Sequence, residues 1–202
     1  MFQLHEHFGE IDIYLFDQLL RGRIRSGMRI LDAGCGGGRN LVYLLREGYE
    51  VFGVDRDAQA VEEVRRLARR LLPSLPAKNF QVGLLEEAPY ADGFFEVVIC
   101  NAVLHFAEDD EQFQAMLSGI WRVLQTGGML FCRLASSIGI EKQAQRLAGR
   151  RFELPDGSQR YLVDAALLER LTAELAGRLL DPIKTTVVHN QRSMTTWVMQ
   201  KT

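Results

Sequence analysis

Met28-Arg29-Ile30-Leu31-Asp32-Ala33-Gly34-Cys35-Gly36-Gly37-Gly38-Arg39-Asn40 decides how this chain folds. Its first six residues form a short apolar run, which ends in four glycines within five positions. A run of this length bounded by turn residues reads as a buried strand. Glycines directly after it supply the positive φ of a tight turn and let a ligand approach the backbone. Leu41 to Arg46 then reads as a helix with Gly48 as its terminator. The first amides of that helix face the loop, where they suit a carboxylate, a phosphate or ribose oxygens. Taken alone, such a loop also serves simply to join a strand to a helix.

Working outward, Glu50 to Val54 is a second strand ending in Asp55. If the two strands are parallel neighbours, Asp55 lies beside the glycine loop, where a carboxylate can accept hydrogen bonds from both hydroxyls of a ribose. Asp57 suits the N-cap of a helix over Ala58 to Leu72, whose Val61, Val64, Ala68 and Leu71 repeat at helical spacing before Pro73 and Pro76. Phe80 to Leu84, Phe95 to Cys100 and Met129 to Leu134 read as further strands. Phe113 to Leu124 reads as a helix ended by Gly127 and Gly128. Asp164 caps a helix through Leu167, Leu168, Leu171 and Leu175. Lys184 to His189 and Met194 to Gln200 close the chain as strands with no helix between them, so that pair is antiparallel. Ile11 to Leu20, upstream, reads as one amphipathic helix. The pattern is that of an α/β fold in one domain, 1-202. It predicts a doubly wound, mostly parallel seven-stranded sheet with helices on both faces and an antiparallel C-terminal strand. Ligands on such sheets bind at the carboxyl ends of the strands.

Several classes are excluded. A dinucleotide fingerprint needs glycines at i, i+2 and i+5, but the third place falls on Arg39 or Leu41. No Tyr-x-x-x-Lys pair and no Gly-Lys-Ser/Thr loop occur. With 24 basic and 26 acidic residues the formal net charge is -2, so nothing global recruits nucleic acid or an anionic membrane. Cys35, Cys100 and Cys132 are far apart in sequence and form no metal-binding spacing, so no metal is expected. An odd cysteine count fits a reducing compartment. No leader or membrane span is read in the sequence, and the expected location is cytoplasmic.

Ile30 to Gly38 resembles the first motif of the class I S-adenosylmethionine-dependent methyltransferases. Val54-Asp55 is similar to their acidic ribose position. Pro89 to Val98 resembles their approach to the fourth strand, and Arg122-Val123-Leu124 with Gly127-Gly128 their turn before the fifth. The match runs in order from Met28 to Leu134. Gly38-Arg39-Asn40-Leu41 with Tyr43-Leu44 is similar to the branch of tellurite-resistance methyltransferases. The resemblance implies a Rossmann-like fold that binds S-adenosyl-L-methionine and releases S-adenosyl-L-homocysteine. It implies that Gly34, Cys35 and Gly36 line the methionine moiety, with Arg39 and Asn40 also binding the cofactor. Asp32 would face the amino group, Asp55 would hold the ribose, and Arg56 would flank the adenine. Leu84 and Leu85 would touch the adenine ring. Many relatives carry Asp where Leu84 stands, so Glu86 or a backbone carbonyl would replace that contact. Asn101 and Ala102 would meet the methionine end through their backbone. Residues 1–27 would form an N-terminal helical cap and 135–162 an insertion on the acceptor side.

Methyl transfer from a sulfonium is an in-line displacement, so the protein mainly aligns the acceptor and excludes water. His105, just past Asn101, is the candidate general base if the acceptor must lose a proton. Otherwise it packs or seals the pocket. His5, His7 and Tyr14 read as ordinary surface or packing residues, with a lid over the cofactor as the alternative. His189 reads as structural within a strand. Lys142, Arg146, Arg150, Arg151 and Arg160 attract an anionic acceptor or form a solvated face. Phe152 to Gly157 begins a small hairpin over the site. No Pro-Pro pair exists, against the base-methylating Asn/Asp-Pro-Pro-aromatic pattern, so DNA is not an expected partner. The expected acceptor is a small molecule. An RNA or protein acceptor and a non-catalytic binding module stay open.

Overall fold

The computed structural model describes residues 3–202. In chain order the elements are α1 (Leu4–Phe8), α2 (Ile13–Leu20), β1 (Arg29–Ala33), α3 (Val42–Arg46), β2 (Glu50–Asp55), α4 (Ala58–Leu71), β3 (Phe80–Val82) and β4 (Phe95–Asn101). There follow α5 (Asp110–Val123), β5 (Leu124–Ala135), β6 (Gln145–Ala148), β7 (Arg151–Glu153), β8 (Gln159–Tyr161), α6 (Ala165–Glu174), β9 (Gly177–Leu179), β10 (Lys184–Val188) and β11 (Arg192–Lys201).

The main sheet runs β10-β11-β5-β4-β1-β2-β3. β1 to β5 are mutually parallel, and β11 runs against β5. β9 is an eighth strand that the sequence did not announce, paired with β11 on the edge that β10 also uses. Leu180 donates to Val198 O between them, so β9 and β10 are two parts of one edge strand. The interruption contains Pro182, which has no amide to give to a ladder.

Alternation along the central strands sends successive side chains to opposite faces. Leu31, Ala33, Val98, Cys100, Leu130 and Cys132 pack with Phe113, Leu117, Ile120 and Leu168 of α5 and α6. Ile30, Val97, Ile99 and Phe131 pack with Leu15, Leu44, Val61 and Val64 of α2, α3 and α4. Strands covered on both sides must be apolar throughout, hence the continuous runs seen in the sequence. Asp12, Asp57, Asp109 and Asp164 each cap a helix by accepting a backbone amide, each worth about 1 kcal/mol.

Four departures have local causes. The expected helix from Ile11 starts only at Ile13, because Asp12 is extended and caps Tyr14 N; the separate α1 ends at Gly9, whose φ is 64°. α5 stops at Val123, and Gly127-Gly128 lie inside β5 rather than ending the helix. Residues 145–161 form a three-stranded sheet, β6-β7-β8, where a hairpin was expected. His189 lies past β10 with φ 49°, next to Asn190 with φ 55°, so it belongs to the turn and not to a strand. Cys100 and Cys132, remote in sequence, are register partners on adjacent strands, buried as thiols.

Candidate active site

β1 and β2 are paired in register, Ala33 opposite Val54. The loop after β1 therefore folds against the end of β2. Gly34 and Cys35 both donate to Val54 O, at 2.8 and 3.1 Å. Gly36 N donates to Asp55 Oδ2 at 2.9 Å, and Asp57 N donates to Oδ1 at 3.0 Å. These amides are engaged within the fold, so Gly34, Cys35 and Gly36 offer a ligand no free N–H. What the loop offers is shape. A Cβ on Gly34, at φ 80°, would stand 2.4 Å from Val103 Cγ2, whereas one on Gly36 would meet nothing within 4 Å and so would project into open space. A carboxylate accepts about four hydrogen bonds, so Asp55 keeps capacity for two hydroxyls.

Two cavities meet over this loop, and Gly34 and Asn101 line both. One, about 240 Å³, is lined also by Asp55, Arg56, Leu84, Leu85, Glu86 and Ala102. The other, about 430 Å³, is lined also by Cys35, Gly36, Arg39 and Asn40. The crevice thus gathers every sequence-expected cofactor residue except Asp32. Leu84 is half exposed on its wall. Glu86 Oε1 accepts from Gln112 Nε2 at 3.2 Å. Asn40 Oδ1 accepts from Asp12 N, tying the loop to the start of α2, and Arg39 donates to Glu10 O.

Asp32 lies in β1 just below the loop, 2% exposed. Its Oδ2 has no partner among the described residues. Burial raises its pKa to about 7, against the lowering effect of Arg39 and with a further push from Asp55. Asn101, at the end of β4, has neither side-chain oxygen nor nitrogen satisfied. Ala102 follows in the left-handed region at φ 63°, a strained conformation for a non-glycine residue.

His105 lines neither cavity. It is 5% exposed, and its Nδ1 accepts from Ala135 N at 3.2 Å. Burial, then the charge of Arg160, lower its pKa to about 4. His5 lines the larger cavity, while Tyr14 bonds Thr186 and His7 faces Glu47. The sequence reading missed Val103, Phe106, Gln112 and Met116 in the smaller cavity. Gln112 and Met116 are one turn apart on α5; Met116 belongs to the side that reads as core packing, and Gln112 is a lone polar residue with no signal of its own.

The residues present suit a sulfonium nucleoside that carries an amino acid. An unpartnered, buried carboxylate at Asp32 suits an ammonium group, Asp55 suits ribose hydroxyls, and the wall at Leu84 and Leu85 suits a flat base. The methyltransferase-domain family matches residues 31–132, and the chain belongs to that family. An uncharacterized methyltransferase of Synechocystis is 33% identical over 106 residues, 52% of this chain and 46% of its own length. The malonyl-[acyl-carrier protein] O-methyltransferase of Enterobacter lignolyticus is 30% identical over 145 residues, 71% of this chain and 54% of its own. The chain spans about half the length of the curated relatives it matches. Among solved structures, a SAM-dependent methyltransferase from Methanosarcina mazei superposes with TM-score 0.72 at 20% identity, covering 91% of this chain and 96% of that one. The fold is thus the Rossmann-like methyltransferase fold, with β11 as its antiparallel strand.

Proposed function

We propose that the chain binds S-adenosylmethionine along the crevice and transfers its methyl group to a small-molecule acceptor. The observation that carries this reading is the Asp55–Gly36 hydrogen bond, which sets a carboxylate with spare acceptor capacity on the cavity wall close to the unpartnered Asp32. In it Asp55 holds the ribose, and Arg56, Leu84, Leu85 and Glu86 surround the adenine. Asp32 receives the amino group, while Gly34, Cys35, Gly36, Arg39 and Asn40 wall the methionine end. Asn101 and Ala102 border the methyl-bearing region. The bound cofactor supplies the electrophilic methyl group; the protein supplies alignment and exclusion of water.

His105 is assigned a positioning role in this reading rather than that of a base. With Nδ1 accepting from Ala135, the neutral ring carries its proton on Nε2. Its one lone pair is engaged, so it cannot take a proton without giving up that bond.

Small-molecule chemistry is preferred over an RNA acceptor because several cationic groups of 142–160 are engaged. Arg150 pairs with Asp164 at 2.9 Å, Arg151 donates to Ala107 O, and Arg146 and Arg160 sit over Phe152 and Phe106. These contacts hold the side chains against the fold, though only Arg150 is paired with a carboxylate, and the formal net charge of -2 gives no global attraction for a phosphate backbone. Among the described residues no helix is long and apolar enough to cross a membrane. A cytoplasmic setting is part of the proposal, supported by cysteines that are free thiols.

Thermal denaturation with S-adenosylmethionine, S-adenosylhomocysteine and NAD tests the binding. The first two should raise Tm and NAD should not. Equal shifts for all three, or none, would overturn the reading. Mass-spectrometric detection of methylated product from a panel of small acceptors then tests turnover.

A further inference from the structure

We propose that the carboxyl edge of the sheet holds a carboxylate-binding subsite built from Asn101, Arg133 and Thr196. It deepens the methyltransferase reading, since the carboxylate belongs either to the amino-acid end of the cofactor or to the acceptor.

Among the described residues, five buried side-chain polar atoms lack a partner: Asp32 Oδ2, Asn101 Oδ1, Asn101 Nδ2, Arg133 Nε and Thr196 Oγ1. Folded proteins leave few such atoms, and each calls for an explanation. These are not scattered. Asn101 is the register partner of Arg133 across β4 and β5, and Arg133 is that of Thr196 across β5 and β11. Register partners point to the same face of a pleated sheet. Asp32 is opposite Ile99, two residues before Asn101 and on that face as well. All five atoms therefore lie on one face, near the carboxyl ends of β1, β4 and β5 and beside them on β11.

The start of α2 covers this face. Arg133 Nη1 donates to Asp12 Oδ2 at 3.0 Å, and the guanidinium carbon is 5.4 Å from the centre of the Tyr14 ring. An ion pair that merely pins α2 to the sheet accounts for Nη1. It leaves Nε and the three atoms of Asn101 and Thr196 without a reason. Nε–H, the Asn101 amide and the Thr196 hydroxyl are three donors in one row, and the Nε edge of a guanidinium matches the two oxygens of a carboxylate. Lys184, the register partner of Thr196, brings a second cation to this face, its Nζ 5.4 Å from the same Tyr14 ring, so Arg133 and Lys184 together face the carboxylates of Asp12 and Asp32. Asn101 lines both cavities and joins the row to the crevice, while Arg133, whose side chain keeps 21% of its surface, and the buried Thr196 stand behind it.

Calorimetry on the whole chain, with Arg133→Met and Thr196→Val, decides the matter. The probes are S-adenosylhomocysteine, 5′-methylthioadenosine, which lacks the amino acid, and glutarate and benzoate beside their amides, added to the homocysteine complex. If the subsite takes the cofactor's carboxylate, both variants lose roughly tenfold or more in S-adenosylhomocysteine affinity and bind methylthioadenosine as before. If it takes the acceptor's, both nucleosides bind unchanged, the wild-type complex prefers a carboxylate to its amide, and the variants lose that preference. Variants that match the wild type with every probe overturn the proposal. So does a wild type that binds no carboxylate while the variants keep full S-adenosylhomocysteine affinity. Thr196→Val is nearly isosteric and keeps the Arg133–Asp12 pair, so it carries the test should Arg133→Met fail to fold. A wild type that binds neither nucleoside defeats the methyltransferase reading instead, and the carboxylates on the unliganded protein then judge the subsite alone.

Discussion

Asp55 Oδ2 accepts a hydrogen bond from the Gly36 amide at 2.9 Å, so the acidic end of β2 and the glycine loop after β1 form one structure. Replacing Asp55 by Ala removes both this tie and the proposed ribose partner. Affinity for S-adenosylhomocysteine should fall by about tenfold or more, the cost of a charged hydrogen bond. Unchanged affinity in titration calorimetry would remove Asp55 from the site.

Asp32 gives the chain a pH signature. Its folded pKa of about 7 is above that of an unfolded carboxylate, near 4. Between these values the folded state holds the extra proton, so stability declines as pH rises from about 4 to 7. Asp32→Asn should flatten that slope and be the more stable form at pH 8. An ammonium ligand needs the ionised carboxylate, so S-adenosylhomocysteine should bind more weakly below pH 7 in the wild type only. Parallel affinity–pH curves for the two proteins would refute the assignment.

His105 titrates the other way. Its folded pKa, near 4, is below the unfolded value near 6.5. Its contribution is complete above pH 6.5 and is lost as pH falls toward 4, because the unfolded chain protonates first. His105→Gln should lack that loss in acid denaturation. The pH profile of turnover should show no inflection, near 4 or near 6.5, that the variant abolishes; such an inflection would assign the base role to His105 instead.

Gly34 and Gly36 should respond differently to alanine. Gly34→Ala meets Val103 at 2.4 Å with φ at 80°, so both sterics and backbone oppose it. A destabilisation of about 2 kcal/mol or more is expected in urea unfolding. Gly36→Ala meets no atom within 4 Å, so its φ of 50° brings only a smaller loss of stability while the methyl group intrudes on the ligand. A stability loss for Gly36→Ala equal to that of Gly34→Ala, with cofactor affinity intact, would contradict this.

At the proposed base end, Glu86 sits on the cavity wall with Gln112 as its donor, where Leu84 offers no acceptor. Glu86→Gln should weaken S-adenosylhomocysteine several-fold, and Leu84→Asp in that background should restore it. Competition binding measures both; a neutral Glu86→Gln would shift the adenine contact to backbone.

Much of this architecture is readable from side chains alone. Buried parallel strands must be apolar on both faces, so β1, β2 and β4 appear as runs, and the adjacency of β1 and β2 carries Asp55 to the loop. Register across distant segments is not written in local composition. That is why the meeting of Cys100 with Cys132, and of Arg133 with Asn101 and Thr196, emerges only in three dimensions. β9 is three residues long and takes its identity from β11. For His105 the residue type left a base and a packing residue both open, and the partner of its Nδ1 depends on where Ala135 lies.

A crystal structure with S-adenosylhomocysteine tests the central claim most directly. The account predicts ribose hydroxyls within hydrogen-bond distance of Asp55, the ammonium at Asp32, and the base between Arg56 and Leu85. A nucleoside bound elsewhere, or lying in the crevice with its sugar turned away from Asp55, would contradict it.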